Sequence, residues 1–237
     1  MKAIDINCDL GEGFGNEAEI MPYIHSCNIA CGGHAGDKIT VRKTVALAKN
    51  KRVKIGAHPS YPDKKNFGRL SIEISKKALQ ESLAEQLQLF RNAITELDTE
   101  WHHIKPHGAL YNDVACNKQL ASWCLEVFQE YGVKIYVPYN SEIAKKAEEM
   151  GIPIVYEGFA DRNYNDDLSL VSRKQPNAVL KDVSEIISHV KRMYYRNKVK
   201  TVNNNEKYML AETFCVHSDT ANATTIVKRI YQQLNMR

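Results

Sequence analysis

The sequence has no long uninterrupted apolar stretch. Nowhere in its 237 residues do 18 apolar positions run together, so nothing in it reads as a membrane-spanning helix. The opening MKAIDINCDLGEG carries acids at Asp5, Asp9 and Glu12 where a secretory leader needs a continuous apolar segment, so none is expected. Charge of one sign is not in excess: 32 basic residues face 28 acidic ones, a balance that does not suggest a nucleic-acid surface. The pairs Lys76-Lys77 and Lys145-Lys146 read as solvated helix faces. None of the six cysteines (Cys8, Cys27, Cys31, Cys116, Cys124 and Cys215) forms a C-x-x-C pair. Most fall within apolar strand or helix patterns, so reduced thiols and a cytoplasmic location are expected.

Several catalytic signatures are also missing. There is no G-x-x-x-x-G-K-[ST] phosphate loop, no H-E-x-x-H zinc helix and no G-x-S-x-G nucleophile elbow. The run His217-Ser218-Asp219 is not a hydrolase triad, because those groups come from separate segments. No linker or low-complexity stretch divides the chain. Residues 1–237 are therefore expected to form one domain, long enough for a sizeable core.

What the sequence does have is alternation. Strands are expected at 3–8, 26–30, 53–57, 103–106, 133–137, 152–156 and 209–216. Helices are expected at 37–50, 75–97, 118–131, 141–150, 179–196 and 221–234. In the second of these, Leu79, Leu83, Leu87, Phe90 and Ile94 recur every three or four residues behind a Ser75 cap. NNNEK at 203–207 reads as an exposed turn. Repeated βα units imply an α/β fold with a parallel sheet. An open sheet gathers its site at one switch point, whereas a barrel gathers residues from the ends of many strands. Here almost every strand ends in polar, ligand-type residues, which favours a (β/α) barrel of fewer than eight strands.

Six clusters carry that pattern. Asp5, Asn7 and Asp9 share one face of the first strand, costly inside a barrel unless they are bound. Asn28 and His34 flank a Gly-rich turn that runs into a helix near Asp37; Cys31 within it reads as a packing residue. His58 closes the third strand. Lys105 and His107 alternate onto the face of His103, where a lysine needs an acid or an anionic ligand to offset its burial. Asp9 or Asp161 is the expected acid, and Lys105→Met is expected to raise stability by removing a buried charge. Glu157, Asp161, Arg162 and Arg173 form the fifth cluster, with Asp161 and Arg162 read either as an ion pair or as part of a carboxylate clamp. His217, beside Asp219, suits acid–base work.

Taken together, DINCDLGEGFG, NIACGGHAGD, IGAHPSYPD with FGR, KPHGALYN, FADRNY with LVSR, and CVHSD resemble the LamB/YcsF family, in its order and over residues 5–219. That family is similar to the seven-stranded barrels of the glycoside hydrolase/deacetylase superfamily. The resemblance implies the A-type component of an ATP-hydrolysing 5-oxoprolinase, which opens 5-oxo-L-proline to L-glutamate with two partner subunits of B and C type. ATP, with Mg²⁺, is then the implied cofactor. Asp9, Lys105, His107 and His217 become the expected catalytic residues. Asn7, Asn28, His34, His58, Asp161, Arg162 and Arg173 become the expected substrate contacts. Four positions depart from the family pattern: Gly33 stands where Phe is usual, Leu70 replaces a second Arg after Arg69, and Leu168 and Ser218 stand where Gly is usual. The alternative is an ATP-independent, metal-dependent amidohydrolase or deacetylase with Asp9, His34, His58 and His107 as ligands.

Overall fold

The computed structural model describes residues 4–234. Its elements follow in order: β1 (Asp5–Leu10), α1 (Glu17–Ile20), β2 (Ser26–Ala30), α2 (Lys38–Lys51), β3 (Lys54–His58), α3 (Lys76–Glu96), β4 (His103–Ile104), α4 (Gly108–Cys116), α5 (Lys118–Phe128), β5 (Lys134–Pro138), α6 (Glu142–Glu149), β6 (Ile154–Phe159), α7 (Val183–Arg196), β7 (Lys198–Lys200), β8 (Glu206–Tyr208), β9 (Thr213–His217) and α8 (Ala223–Leu234). Seven strands close a barrel in the order β1-β2-β3-β4-β5-β6-β9, and every pairing is parallel. The expected α/β barrel is what forms. Ala3, the expected start of the first strand, lies outside the described residues. Among the described residues no helix is long and apolar enough to cross a membrane.

The pleat sorts the side chains. Ile4, Ile6 and Cys8 pack into the apolar layer between strands and helices, while Asn7 and Asp9 point inward and are buried. The helices present their apolar stripes to the same layer. Leu79, Leu83, Leu87 and Phe90 of α3 are fully covered, and Ser75 accepts from the Ala78 amide as its cap. Asp37, Asn117, Ser141 and Asp182 cap α2, α5, α6 and α7 in the same way. Asp37 thus puts its own carboxylate at the N-terminus of α2, where it accepts from the Thr40 amide. All six cysteines are free thiols, five of them buried.

Several expected boundaries need correction, and the last strand begins at Thr213 rather than 209. The fourth strand is two residues rather than four, because Pro106 has no N–H; the Lys105 and His107 amides still reach the carbonyls of Ala57 and Pro59. The helix expected from 179 begins at Val183, since Val179 bridges to Arg162 and Asp182 is the cap. The helix α4 and the β7–β8 hairpin were not expected, although the exposed turn at 203–207 lies within that hairpin connection and its second strand.

Candidate active site

Below the mouth of the barrel, polar side chains form a continuous chain. The His103 ring fits beside Gly56, where a Cβ would come within 2.2 Å of its Nε2. That nitrogen is 2.6 Å from Asn28 Oδ1. Asn28 Nδ2 donates to Asn7 Oδ1 at 2.7 Å and to Asp9 Oδ1 at 2.8 Å. Asn7 donates on to Thr213 Oγ1, which donates to Asp5. Asn7 and Asn28, expected substrate contacts, thus sit beneath Asp9 and position it.

Lys105 crosses the barrel above this floor. Its Nζ is 2.8 Å from Asp9 Oδ1 and 3.0 Å from Glu157 Oε1, and its side chain is 2% exposed. Burial alone would lower the lysine pKa, but Asp9 and Glu157 hold it well above the ordinary value. Burial likewise opposes the Asp9 charge, yet His58 and Lys105 keep that carboxyl well below its usual range. Asp9 is therefore the resting partner, with Glu157 rather than Asp161 as the second. The expected gain in stability from Lys105→Met does not follow, because the change would strand two buried carboxylates.

Around Asp9, three histidine rings meet Glu12. His34 and His107 stack at 3.6 Å with planes 4° apart. His58 Nε2 lies 2.9 Å from His107 Nδ1 and 3.3 Å from Asp9 Oδ2. Glu12 Oε1 is 3.0 Å from His34 Nε2 and 3.4 Å from His107 Nδ1. Burial pushes Glu12 up to about 7, helped by Asp9, and pulls His34 down to about 3. One ligand atom from each of Glu12, His34, His58 and His107 falls within 4.8 Å of the others, a donor set that a divalent cation could occupy.

Asp161 does not pair with Arg162. It accepts from His217 Nδ1 at 2.9 Å, from Thr220 Oγ1 and from the His217 amide. Burial opposes its charge, but His217 and Thr220 hold the carboxyl at about 2. Arg162 instead donates to the carbonyls of Ala178 and Val171, pinning the loop before α7. Asp219 turns away from His217 toward Arg69 and Arg173. A cavity of about 730 Å³ opens over Asp9, His58, Lys105, His107, Glu157 and His217, with Arg162 and Arg173 also in its wall. Tyr111, also in the wall, has a phenol pKa held well above its usual value by burial and by Glu157. Glu157 Oε1 pairs with Lys105, whereas Glu157 Oε2 and the Tyr111 hydroxyl beside that carboxylate are buried without a well-formed hydrogen bond. Leu168, another wall residue, holds φ +68, a left-handed conformation that suits the glycine usual there.

The barrel mouth therefore gathers Asp9, His34, His58, Lys105, His107, Asp161 and His217, while Asn7 and Asn28 lie beneath it and Asp219 is drawn aside. Sequence reasoning left Glu12, Tyr111 and Glu157 outside the site. Glu157 was visible beside Asp161 but stands inside β6, Glu12 sits in the loop after β1, and Tyr111 is on the unexpected α4.

The sequence profile of the LamB/YcsF family matches residues 4–237. The chain belongs to the LamB/YcsF family. A curated relative from Staphylococcus aureus, named as the A component of 5-oxoprolinase, is 39% identical over 238 aligned positions, covering 98% of this chain and 95% of that protein. Among solved structures, a lactam utilization protein from Thermus thermophilus superposes with a TM-score of 0.91 at 28% identity, covering 98% of this chain and 96% of that one. A family 4 carbohydrate esterase from Streptomyces lividans shares the barrel at a TM-score of 0.52 and 11% identity, covering 98% and 87%. The LamB/YcsF fold thus extends to an esterase barrel, a likeness of architecture alone.

Proposed function

We propose that this chain is the A-type component of a cytoplasmic, ATP-dependent 5-oxoprolinase, a single domain that works with partners of B and C type. The observation that carries the reading is Lys105, buried between Asp9 and Glu157 at the cavity floor. A five-membered lactam bearing a carboxylate needs a proton donor at its nitrogen, a base for water and fixed cations for its acid group. Lys105 is the donor to the ring nitrogen as the C–N bond opens. His217 is the base: Asp161 holds Nδ1, which leaves Nε2 for a water at the cavity wall. Arg173 is the carboxylate clamp, with Arg162 shaping the loop that carries it. Tyr111 Oη and Glu157 Oε2 supply a donor and an acceptor at the cavity wall. ATP, with Mg²⁺, would supply a phosphoryl group to the lactam oxygen with ADP as the leaving group. Water added at the activated ring carbon, cleavage of the C–N bond with the proton going to nitrogen, and loss of phosphate would then give glutamate. The names of the relatives, a lactam utilization protein and a component of 5-oxoprolinase, support this substrate class.

The test is co-expression with B- and C-type subunits, measuring glutamate released from 5-oxoproline with and without ATP. Glutamate release that needs all three chains and ATP is expected, with this chain alone nearly inactive. Robust ATP-dependent turnover by the isolated chain would overturn the assignment. A second reading, an amidohydrolase that needs a metal and no ATP, is favoured by the Glu12, His34, His58 and His107 group. Turnover without ATP that a chelator abolishes would select it.

A further inference from the structure

Two histidines in the cavity wall have their tautomers fixed by carbonyls. His58 Nδ1 lies 2.7 Å from the Lys105 carbonyl oxygen, and His107 Nε2 lies 2.9 Å from that of Phe67. A carbonyl only accepts, so each of those nitrogens carries the hydrogen. With both rings neutral, the nitrogens left over, His58 Nε2 and His107 Nδ1, face each other as bare lone pairs 2.9 Å apart; a proton or a metal ion between them supplies the positive charge that holds Asp9 ionised. No hydrogen bond joins two such acceptors. Their other neighbours are acceptors too: Asp9 Oδ2 at 3.3 Å from the first and Glu12 Oε1 at 3.4 Å from the second. Something positive belongs at this point. A proton could bridge two of these atoms, whereas a metal ion engages three or more together.

We propose that His58 Nε2, His107 Nδ1 and Glu12 Oε1 hold a divalent transition-metal ion of the zinc class. Ligand atoms around a tetrahedral zinc, at about 2.0–2.1 Å from the ion, stand roughly 3.4 Å apart. The His107–Glu12 separation already has that spacing, and the His58–His107 separation has to widen by about half an ångström. Both imidazoles already donate their far N–H to a carbonyl, the outer arrangement that orients metal-binding histidines. His34 is not a ligand in this assignment. Its ring is stacked on His107, so an ion in the His107 plane lies out of the His34 plane and off its lone-pair direction. Its Nε2 instead steadies Glu12. Asp9, the carboxylate expected from sequence, has Oδ1 taken up by Lys105 and Asn28, and Glu12, whose oxygen lies within 4.8 Å of both imidazole nitrogens, replaces it. Two nitrogen donors favour a borderline ion over Mg²⁺, which prefers oxygen. His58 and His107 line the cavity, so a remaining coordination position faces the space where the lactam of the reading above would sit. The ion would polarise a carbonyl or a bound water there.

The experiment needs no partner subunit, so its outcome is separate from that of the oxoprolinase assay. Chelator-treated chain is titrated with Zn²⁺ and Co²⁺ by calorimetry, followed by elemental analysis after gel filtration. One equivalent per chain is expected, with a visible Co²⁺ absorption band and a raised Tm. Glu12→Gln and His107→Gln, checked for folding by circular dichroism, should bind about 100-fold more weakly or worse. X-ray absorption of the zinc-loaded wild type should show two imidazoles in the ion's shell, a readout that needs no variant to fold. No stoichiometric uptake by the wild type would leave only a shared proton and overturn the proposal. So would unchanged affinity in folded variants, or a metal shell without imidazole.

Discussion

The floor and the mouth of this barrel are built from the same residue types but differ in how far they are satisfied. On the floor, Asp5, Asn7, Ser26, Asn28, His103, Tyr136 and Thr213 form a closed set in which no buried side-chain nitrogen or oxygen lacks a partner. At the mouth, Tyr111 Oη, Glu157 Oε2, His34 Nδ1, Ser218 Oγ and Asp219 Oδ1 are buried without a well-formed hydrogen bond, although Glu157 Oε1 pairs with Lys105. His189 Nε2, on α7, is another such atom away from both. A buried polar group without a partner costs about 1–3 kcal/mol. The floor therefore contributes stability, and the mouth gives some up to keep bonding capacity for a ligand.

Lys105 belongs to both regions and should show the largest effect. Lys105→Met is expected to lower turnover in the reconstituted complex by about 10³-fold or more and to destabilise the fold by about 3–5 kcal/mol, since two buried carboxylates lose their cation. Steady-state kinetics and urea unfolding measure the two effects, and near-normal turnover would make this strand end structural. His103→Leu tests the floor alone. It keeps most of the bulk but orphans Asn28 Oδ1, and unfolding should show a loss of about 1–3 kcal/mol with metal uptake retained.

Asp161 offers a pH test of the mouth. Its folded pKa of about 2 lies below the ordinary carboxylate value, so its contribution is complete above roughly pH 4 and disappears as pH falls toward 2. The contribution is about 2 kcal/mol by linkage. Unfolding curves between pH 2 and 6 should lose that part of their slope in Asp161→Asn; identical slopes would separate Asp161 from acid stability. Tyr111→Phe should be the mildest for the fold. Removing a hydroxyl that lies beside Glu157 without a well-formed hydrogen bond should change stability by no more than about 0.5 kcal/mol while reducing turnover several-fold, and a large loss of stability would show that the hydroxyl is bonded at rest.

The barrel was legible because strand and helix periods differ and because polar residues recur at strand ends. Asp9, Lys105 and His217 could be placed at one mouth on that pattern alone. The α4 helix was hidden because it starts at Gly108, at φ +55, and His107 before it turns its ring into the site instead of capping the helix. The partner of His217 was equally hidden: Asp161 is 56 residues away, while the adjacent Asp219 is drawn off by two arginines. Sequence neighbours describe strands well, but ion pairs are settled by which strand ends the barrel brings together.

The two-residue strand β4 bears on motion as well as shape. It is the narrowest join in the barrel wall, between β3 and β5, and its continuation holds Lys105 and His107 through amide bonds to Ala57 and Pro59. Opening there breaks few ladder bonds, so this seam should be the first part of the wall to exchange its amide hydrogens, ahead of the longer β1–β2 and β1–β9 joins. Because the same segment carries the lysine and a histidine of the site, a ligand that bridges β1, β4 and β6 would act as a staple across the weakest line of the cylinder. Its binding should be readable as slowed exchange at Ile104 and Lys105 even where no chemistry follows.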